Sequence, residues 1–147
     1  MIQLKLFTIG FTKKTARDFF EILKKNRVQR LIDIRLNNSS QLAGFSKGSD
    51  LEYFLHEICG IKYDHQTNLA PTEELLKGYQ KGEVTWDAYE KVYLELLEKR
   101  NVLQKNESVM FDHACLLCSE ATPERCHRRL LAEYLRSHWN DVEIIHL

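Results

Sequence analysis

The sequence predicts an α/β fold: a mainly parallel, Rossmann-like or flavodoxin-like sheet of about five strands with helices on both faces. Three observations carry that expectation. Short runs rich in β-branched and aromatic residues alternate with longer segments whose apolar residues recur at helical spacing. Strands separated by helices imply right-handed crossovers, and so a parallel sheet covered on both sides. No internal repeat or linker interrupts the 147 residues. A chain of that length buries roughly 70% of its unfolded surface, so one domain spanning residues 1–147 is expected.

Leu4 to Gly10 (LKLFTIG) reads as the first strand, closed by glycine. A helix over Lys13 to Asn26 follows, with Ala16, Phe19, Phe20 and Leu23 on one face and Thr12 as its expected N-cap. Val28 to Arg35 (VQRLIDIR) reads as the second strand, and the turn-rich Asn37 to Ser49 as the loop leaving it. A helix over Asp50 to Cys59 ends at Gly60, ahead of a third strand at Ile61 to His65. A short helix around Glu73 to Tyr79 precedes a longer one from Thr85 to about Arg100. The stripe of the longer helix (Trp86, Tyr89, Val92, Tyr93, Leu96, Leu97) is read as packing. The fourth strand falls near His113 to Cys118. The loop Ser119 to Thr122 leads to a helix from Pro123 to about His138, with Thr122 as N-cap, and Val142 to Leu147 closes the sheet.

Composition narrows the function classes. The hydrophobic share of 44% and charged share of 29% are those of ordinary globular chains, which excludes disordered and collagen-like classes. Lys plus Arg and Asp plus Glu each number 21, so no net field draws the chain to nucleic acid or to an anionic membrane. No stretch reaches the ~20 apolar residues of a membrane span, and Met1 to Gly10 lacks the length and cleavage site of a signal peptide. A cytoplasmic location follows as the expectation. It implies that Cys59, Cys115, Cys118 and Cys126 are free thiols. No cofactor, membrane partner or particular oligomeric state is implied.

Chemistry concentrates in Leu116 to Arg129 (LLCSEATPERCHRR), where a buried strand runs into a polar turn and a new helix. If Cys118 ends the strand, then Glu120, Cys126 and His127 gather at the carboxyl rim, where α/β sheets bind ligands. A helix N-terminus together with Arg125, Arg128 and Arg129 would favour a thiolate or an anionic ligand. Cys118 is the candidate nucleophile, and Glu120 or His127 would move protons. The competing reading is packing, because cysteine is among the most buried residue types. A metal site from His113, Cys115, Cys118, Cys126 and His127 is a further alternative. It is disfavoured because strand alternation points His113 and Cys115 away from Cys118, and no metal ligand is assigned.

Asp33 and Arg35 share one face at the end of the second strand. Arg35 suits bidentate binding of phosphate or carboxylate, and Asp33 would either hold it in place or take part in proton transfer. In the following loop Ser39, Ser40, Phe45, Ser46 and Lys47 supply hydroxyls, an aromatic face and a cation that would suit a nucleotide, with Ser46 and Lys47 as candidate substrate contacts. Neither a G-x-G-x-x-G pattern nor a P-loop occurs.

Taken together, Thr8-Ile9-Gly10, Asp33-Ile34-Arg35, Phe45-Ser46-Lys47, Leu117-Cys118-Ser119-Glu120 and Cys126-His127-Arg128 resemble the domain of unknown function 488 family over nearly the whole chain. The resemblance implies a shared site at Asp33, Arg35, Cys118, Glu120, Cys126, His127 and Arg128, and no particular reaction. Two departures stand out: Asn38 where the family usually has proline, and Leu69-Ala70-Pro71 where it has a Leu-Gly-Gly-like turn. The expectation is a small enzyme acting on an anionic, nucleotide-like substrate, with Arg35, Arg128, Ser46, Lys47 and Cys126 as binding residues. A nucleic-acid or nucleotide-binding module using Arg125, Arg128, Arg129 and Arg136 without chemistry is the alternative.

Overall fold

The computed structural model describes residues 3–39, 44–120 and 122–147. Five strands, β1 (Leu4–Gly10), β2 (Arg30–Asp33), β3 (Lys62–His65), β4 (Ala114–Cys118) and β5 (Val142–His146), form one all-parallel sheet in the order β3-β2-β4-β1-β5. The α/β expectation is met. Strand alternation divides the core in two. Leu6, Ile32, Leu116 and Cys118 face one side, while Phe7, Leu31, Leu117 and Cys115 face the other.

Helices α1 (Ala16–Lys25) and α2 (Gly48–Phe54) cover the second side through Phe19, Phe20, Leu23 and Leu51. The first side is covered by α3 (Glu73–Gln80), α4 (Trp86–Lys99), the one-turn α5 (Val102–Lys105) and α6 (His127–His138). Among the described residues no helix is long and apolar enough to cross a membrane.

The chain leaves β1 and β2 in one direction along the sheet and β3 and β4 in the other. Right-handed crossovers therefore put the two sets of helices on opposite faces. β2 and β4 are neighbours whose outgoing connections part, which opens a crevice at their carboxyl ends.

Local chemistry explains most boundaries. Threonines cap three helices: Thr15 accepts from Asp18 N at 3.1 Å, Thr72 from Leu75 N at 3.1 Å and Thr85 from Ala88 N at 3.2 Å. Thr12 was expected to cap α1. Its hydroxyl instead donates to Ser119 O at 2.5 Å, tying the exit of β1 to that of β4, and the helix starts later. Gly60 ends the α2 segment at φ +65°, after one turn of π-helix over Leu55–Cys59. The helix expected from Pro123 begins only at His127, with Cys126 rather than Thr122 as N-cap. Cys126 is held in extended conformation because its side chain is drawn onto β4, so tertiary contact overrides the local cap signal.

The two loops that depart from the family pattern are closed by side chains. Asn38 O accepts from Gly48 N at 2.7 Å, and its amide donates to the Tyr63 hydroxyl at 3.0 Å. Tyr93 Oη donates to Leu69 O at 2.6 Å, and Arg100 Nη1 donates to Asn68 O and Ala70 O. Tyr93 is fully buried, so Tyr93→Phe leaves a carbonyl short of a donor and is expected to lower stability by about 1–2 kcal/mol. Urea unfolding of both proteins measures it, and a difference under about 0.3 kcal/mol would show that the bond contributes nothing.

Candidate functional site

The crevice between the ends of β2 and β4 opens into a cavity of ≈ 840 Å³. Of the expected site residues, Arg35, Cys118, Glu120, Cys126 and His127 line it. Asp33 and Arg128 stand directly behind that wall as fully buried side chains. Ser46 and Lys47 are not among the lining residues. Their turn packs Phe45 against Phe19 and Phe20, with ring centroids 5.2 and 5.8 Å apart, beside α1. Ser40 lies outside the described residues.

Asp33 ends β2, and its carboxylate is saturated by donors. It accepts from Arg35 N (3.1 Å), Arg35 Nε (2.8 Å), Arg35 Nη2 (2.7 Å) and the Tyr63 hydroxyl (2.5 Å). Burial and the bond to Asp33 push Tyr63 well above its ordinary value, which keeps it a donor. Arg35 is thus clamped from one side. Its carbonyl accepts from His65, and its guanidinium lies over Phe11 at 5.3 Å. Its third nitrogen, Nη1, is buried without a hydrogen-bond partner among the described residues, in a side chain that lines the cavity.

The second strand end is built around sulfur. Cys118, the last residue of β4, and Cys126, the N-cap of α6, are joined as a disulfide, with Cα atoms 7.5 Å apart. This corrects the expectation of four free thiols, which holds for Cys59 and Cys115. The reason is topological: the seven-residue connection folds back, so the two chain ends of the turn meet. Arg128 Nη1 donates to Glu120 O at 2.6 Å and approaches Cys118 Sγ at 3.1 Å and Cys126 Sγ at 3.7 Å. Its Nε and Nη2 have no hydrogen-bond partner among the described residues, and burial pulls the guanidinium below its ordinary value. The side chain fits only because residue 10 is glycine. A Cβ there would lie 1.6 Å from Glu120 O and 2.8 Å from Arg128 Nη1.

His127 Nε2 donates to Ile34 O at 2.7 Å, and its ring meets Tyr93 edge-on at 5.6 Å. Burial first, then the Arg128 charge, lower it to about 4 against the opposing pull of Ile34 O and Asp33. The imidazole is therefore neutral at pH 7, with its lone pair on Nδ1. A histidine depressed in the folded state adds stability above its unfolded value of about 6.5, and loses it as pH falls toward 4. That contribution is on the order of 3 kcal/mol. Unfolding from pH 4 to 7 should show a steeper rise for the natural protein than for His127→Asn. Parallel curves would contradict the neutral buried imidazole.

Donor atoms of Cys118, Cys126 and His127 lie within 4.8 Å of one another. Cys115 faces the opposite core, as strand alternation required, and burial pushes its thiol well up.

Sequence reasoning passed over the aromatic part of the cavity lining. Tyr79 of α3, given no role there, and Trp86 and Tyr89 of α4, read there as packing, line it. Trp86 and Tyr89 are near-parallel, with centroids 5.1 Å apart at 16°, and Tyr79 leans on Trp86 at 5.6 Å. Their helix is amphipathic in the ordinary way, and only the half-exposed Trp86 at its first turn hints at another use. Tyr63 was also missed. Its contact with Asp33 depends on β2-β3 register, in which Asp33 pairs with His65 and Leu31 with Tyr63.

No curated protein and no solved structure matches the chain. The family profile described as "Domain of unknown function DUF488" matches residues 15–135. That span contains both clamped arginines, both joined cysteines and the aromatic wall, and the chain belongs to the DUF488 family.

Proposed function

We propose that the protein is an enzyme acting on a small anionic, nucleotide-like substrate held in the rim cavity. The observation that carries this reading is Arg35. Asp33 fixes two of its nitrogens, and Nη1 is left buried with no acceptor among the described residues, in a side chain that lines the cavity. A buried donor without a partner costs about 1–3 kcal/mol, and a phosphate or carboxylate oxygen entering the cavity would recover it through a charge-assisted bond. The cavity lining also includes Tyr79, Trp86 and Tyr89, where the half-buried Trp86 gives a ring something to pack against. The volume falls in the range of small-molecule sites.

Within this reading Asp33 is a positioning residue, because all its accepting capacity is taken up by Arg35 and Tyr63. In the reduced protein Cys118 is the nucleophile, with Arg128 behind the sulfur. Glu120, exposed at the cavity edge, moves protons, and neutral His127 accepts a hydrogen bond at Nδ1. The basic face needed by a nucleic-acid module is not intact. Arg128 is buried and Arg129 pairs with Glu133 at 3.2 Å, which separates Arg125 from Arg136.

Calorimetric titration with adenosine monophosphate, with adenosine as the uncharged comparison, tests the reading. Adenosine monophosphate should bind and adenosine bind at least tenfold more weakly, and Arg35→Lys, which keeps charge but loses the fork, should weaken the monophosphate about tenfold, or about 1.4 kcal/mol. Equal binding of both ligands, unchanged by Arg35→Lys, would refute the anion pocket. If the nucleotide binds but mass spectrometry finds no product that Cys118→Ser abolishes, the chain is a binding module.

A further inference from the structure

We propose that Cys118 and Cys126 are a redox-active dithiol pair that exchanges with small anionic disulfides entering the cavity, Cys118 attacking and Cys126 resolving. The inference goes beyond nucleotide binding and stands on the pair itself. Both residues line the cavity, from two different elements, and the structure holds them as the disulfide. Cys115 is sealed in the opposite core and Cys59 is outside the cavity, so neither competes.

Arg128 gives the pair its direction. It is fully buried, makes no ion pair with a carboxylate among the described residues, and its hydrogen-bond acceptors are Glu120 O and the two sulfurs, with the Glu120 and Glu124 carboxylates acting on it only from further off. In the disulfide form this cation faces uncharged sulfur at hydrogen-bond distance and is only partly offset by the more distant Glu120 and Glu124, a costly state in the interior. Reduction places a thiolate 3.1 Å from Nη1 at Cys118 and neutralises it. A buried charge that stabilises the reduced form makes a disulfide a better oxidant. The exposed cavity edge supplies Arg125, and its wall Arg35, for the anionic groups of the incoming disulfide.

The exchange balances as two displacements. The Cys118 thiolate attacks one sulfur of R–S–S–R, forming a Cys118 mixed disulfide and releasing R–S⁻. Cys126 loses its proton to solvent and attacks Cys118 Sγ, forming the intramolecular disulfide and releasing the second R–S⁻. Two protein thiols are oxidised, one external disulfide is reduced, and a thiol reductant runs the reverse.

The test uses the full chain, reduced with a phosphine and freed of it, then mixed at pH 7 with 5,5′-dithiobis(2-nitrobenzoate). A fast phase releasing two thionitrobenzoates with no adduct retained on Cys118 or Cys126 is expected, any slower reaction of Cys59 being located by peptide mass spectrometry. Cys126→Ser should release one and keep the adduct on Cys118 by peptide mass spectrometry, and Cys118→Ser should lose the fast phase. In glutathione redox buffers the natural pair should titrate between dithiol and disulfide. Arg128→Met should shift that equilibrium at least tenfold toward the disulfide, about 30 mV, while Arg128→Lys, which keeps the charge if Met does not fold, should shift it less. A pair that stays oxidised across the glutathione range is a structural disulfide and overturns the proposal. So does an adduct retained on Cys118 or Cys126 of the natural protein, or a reduced protein that holds stoichiometric zinc and does not exchange. Nucleotide binding is read separately, so either result can fail alone.

Discussion

Asp33→Ala is expected to lower folding stability by about 3–5 kcal/mol, because it strands a buried charge. Arg35 is 4% exposed and Asp33 is fully buried, so water cannot replace the carboxylate. The substitution removes the acceptor of two guanidinium nitrogens, a backbone N–H and the Tyr63 hydroxyl, in a residue whose Nη1 is already unpartnered. The penalty comes from the charge left behind, so Asp33→Ala combined with Arg35→Met should recover much of it. Urea unfolding of both variants measures the difference. A loss below about 1 kcal/mol for Asp33→Ala would mean that Arg35 finds another partner or reaches solvent.

Gly10→Ala is expected to cost about 4 kcal/mol, above ordinary overpacking. Gly10 lies beside Cys118 in the β1-β4 register, where the exits of both strands cross. An added Cβ would meet the backbone carbonyl of Glu120 at 1.6 Å, which no side-chain rotation relieves, and Arg128 Nη1 at 2.8 Å. Relief requires moving the turn after Cys118 or expelling Arg128. Gly44→Ala, where the same methyl meets nothing, is the comparison and should change stability by no more than about 0.5 kcal/mol. Equal stabilities of the two variants would contradict the close approach at residue 10.

Periodicity made the strands and long helices legible, because alternation and helical spacing are set by burial on a known face. Boundaries failed where tertiary contacts outbid local chemistry. Thr12 reaches across to Ser119 instead of capping α1, and Cys126 is drawn to Cys118 ahead of α6. The insertion of β4 between β1 and β2 has no local signature, because each crossover looks the same in sequence whichever strand it passes. In the candidate site, Asp33 and Cys118 were legible as strand ends, Arg35 and Glu120 as charged residues two positions further on, and Cys126 and His127 as part of the following helix's first turns. Their partners were not. Tyr63, Tyr79, Trp86 and Tyr89 come from later elements through register and packing, and Ser46 and Lys47 do not line the cavity.

The measurement that bears most directly on the anion pocket is a crystal structure of the protein with adenosine monophosphate. A phosphate oxygen within about 3.2 Å of Arg35 Nη1, with the adenine ring against Trp86, is the predicted result. A nucleotide bound outside the rim cavity, or inside it with Arg35 Nη1 still unpartnered, would contradict the assignment of this site.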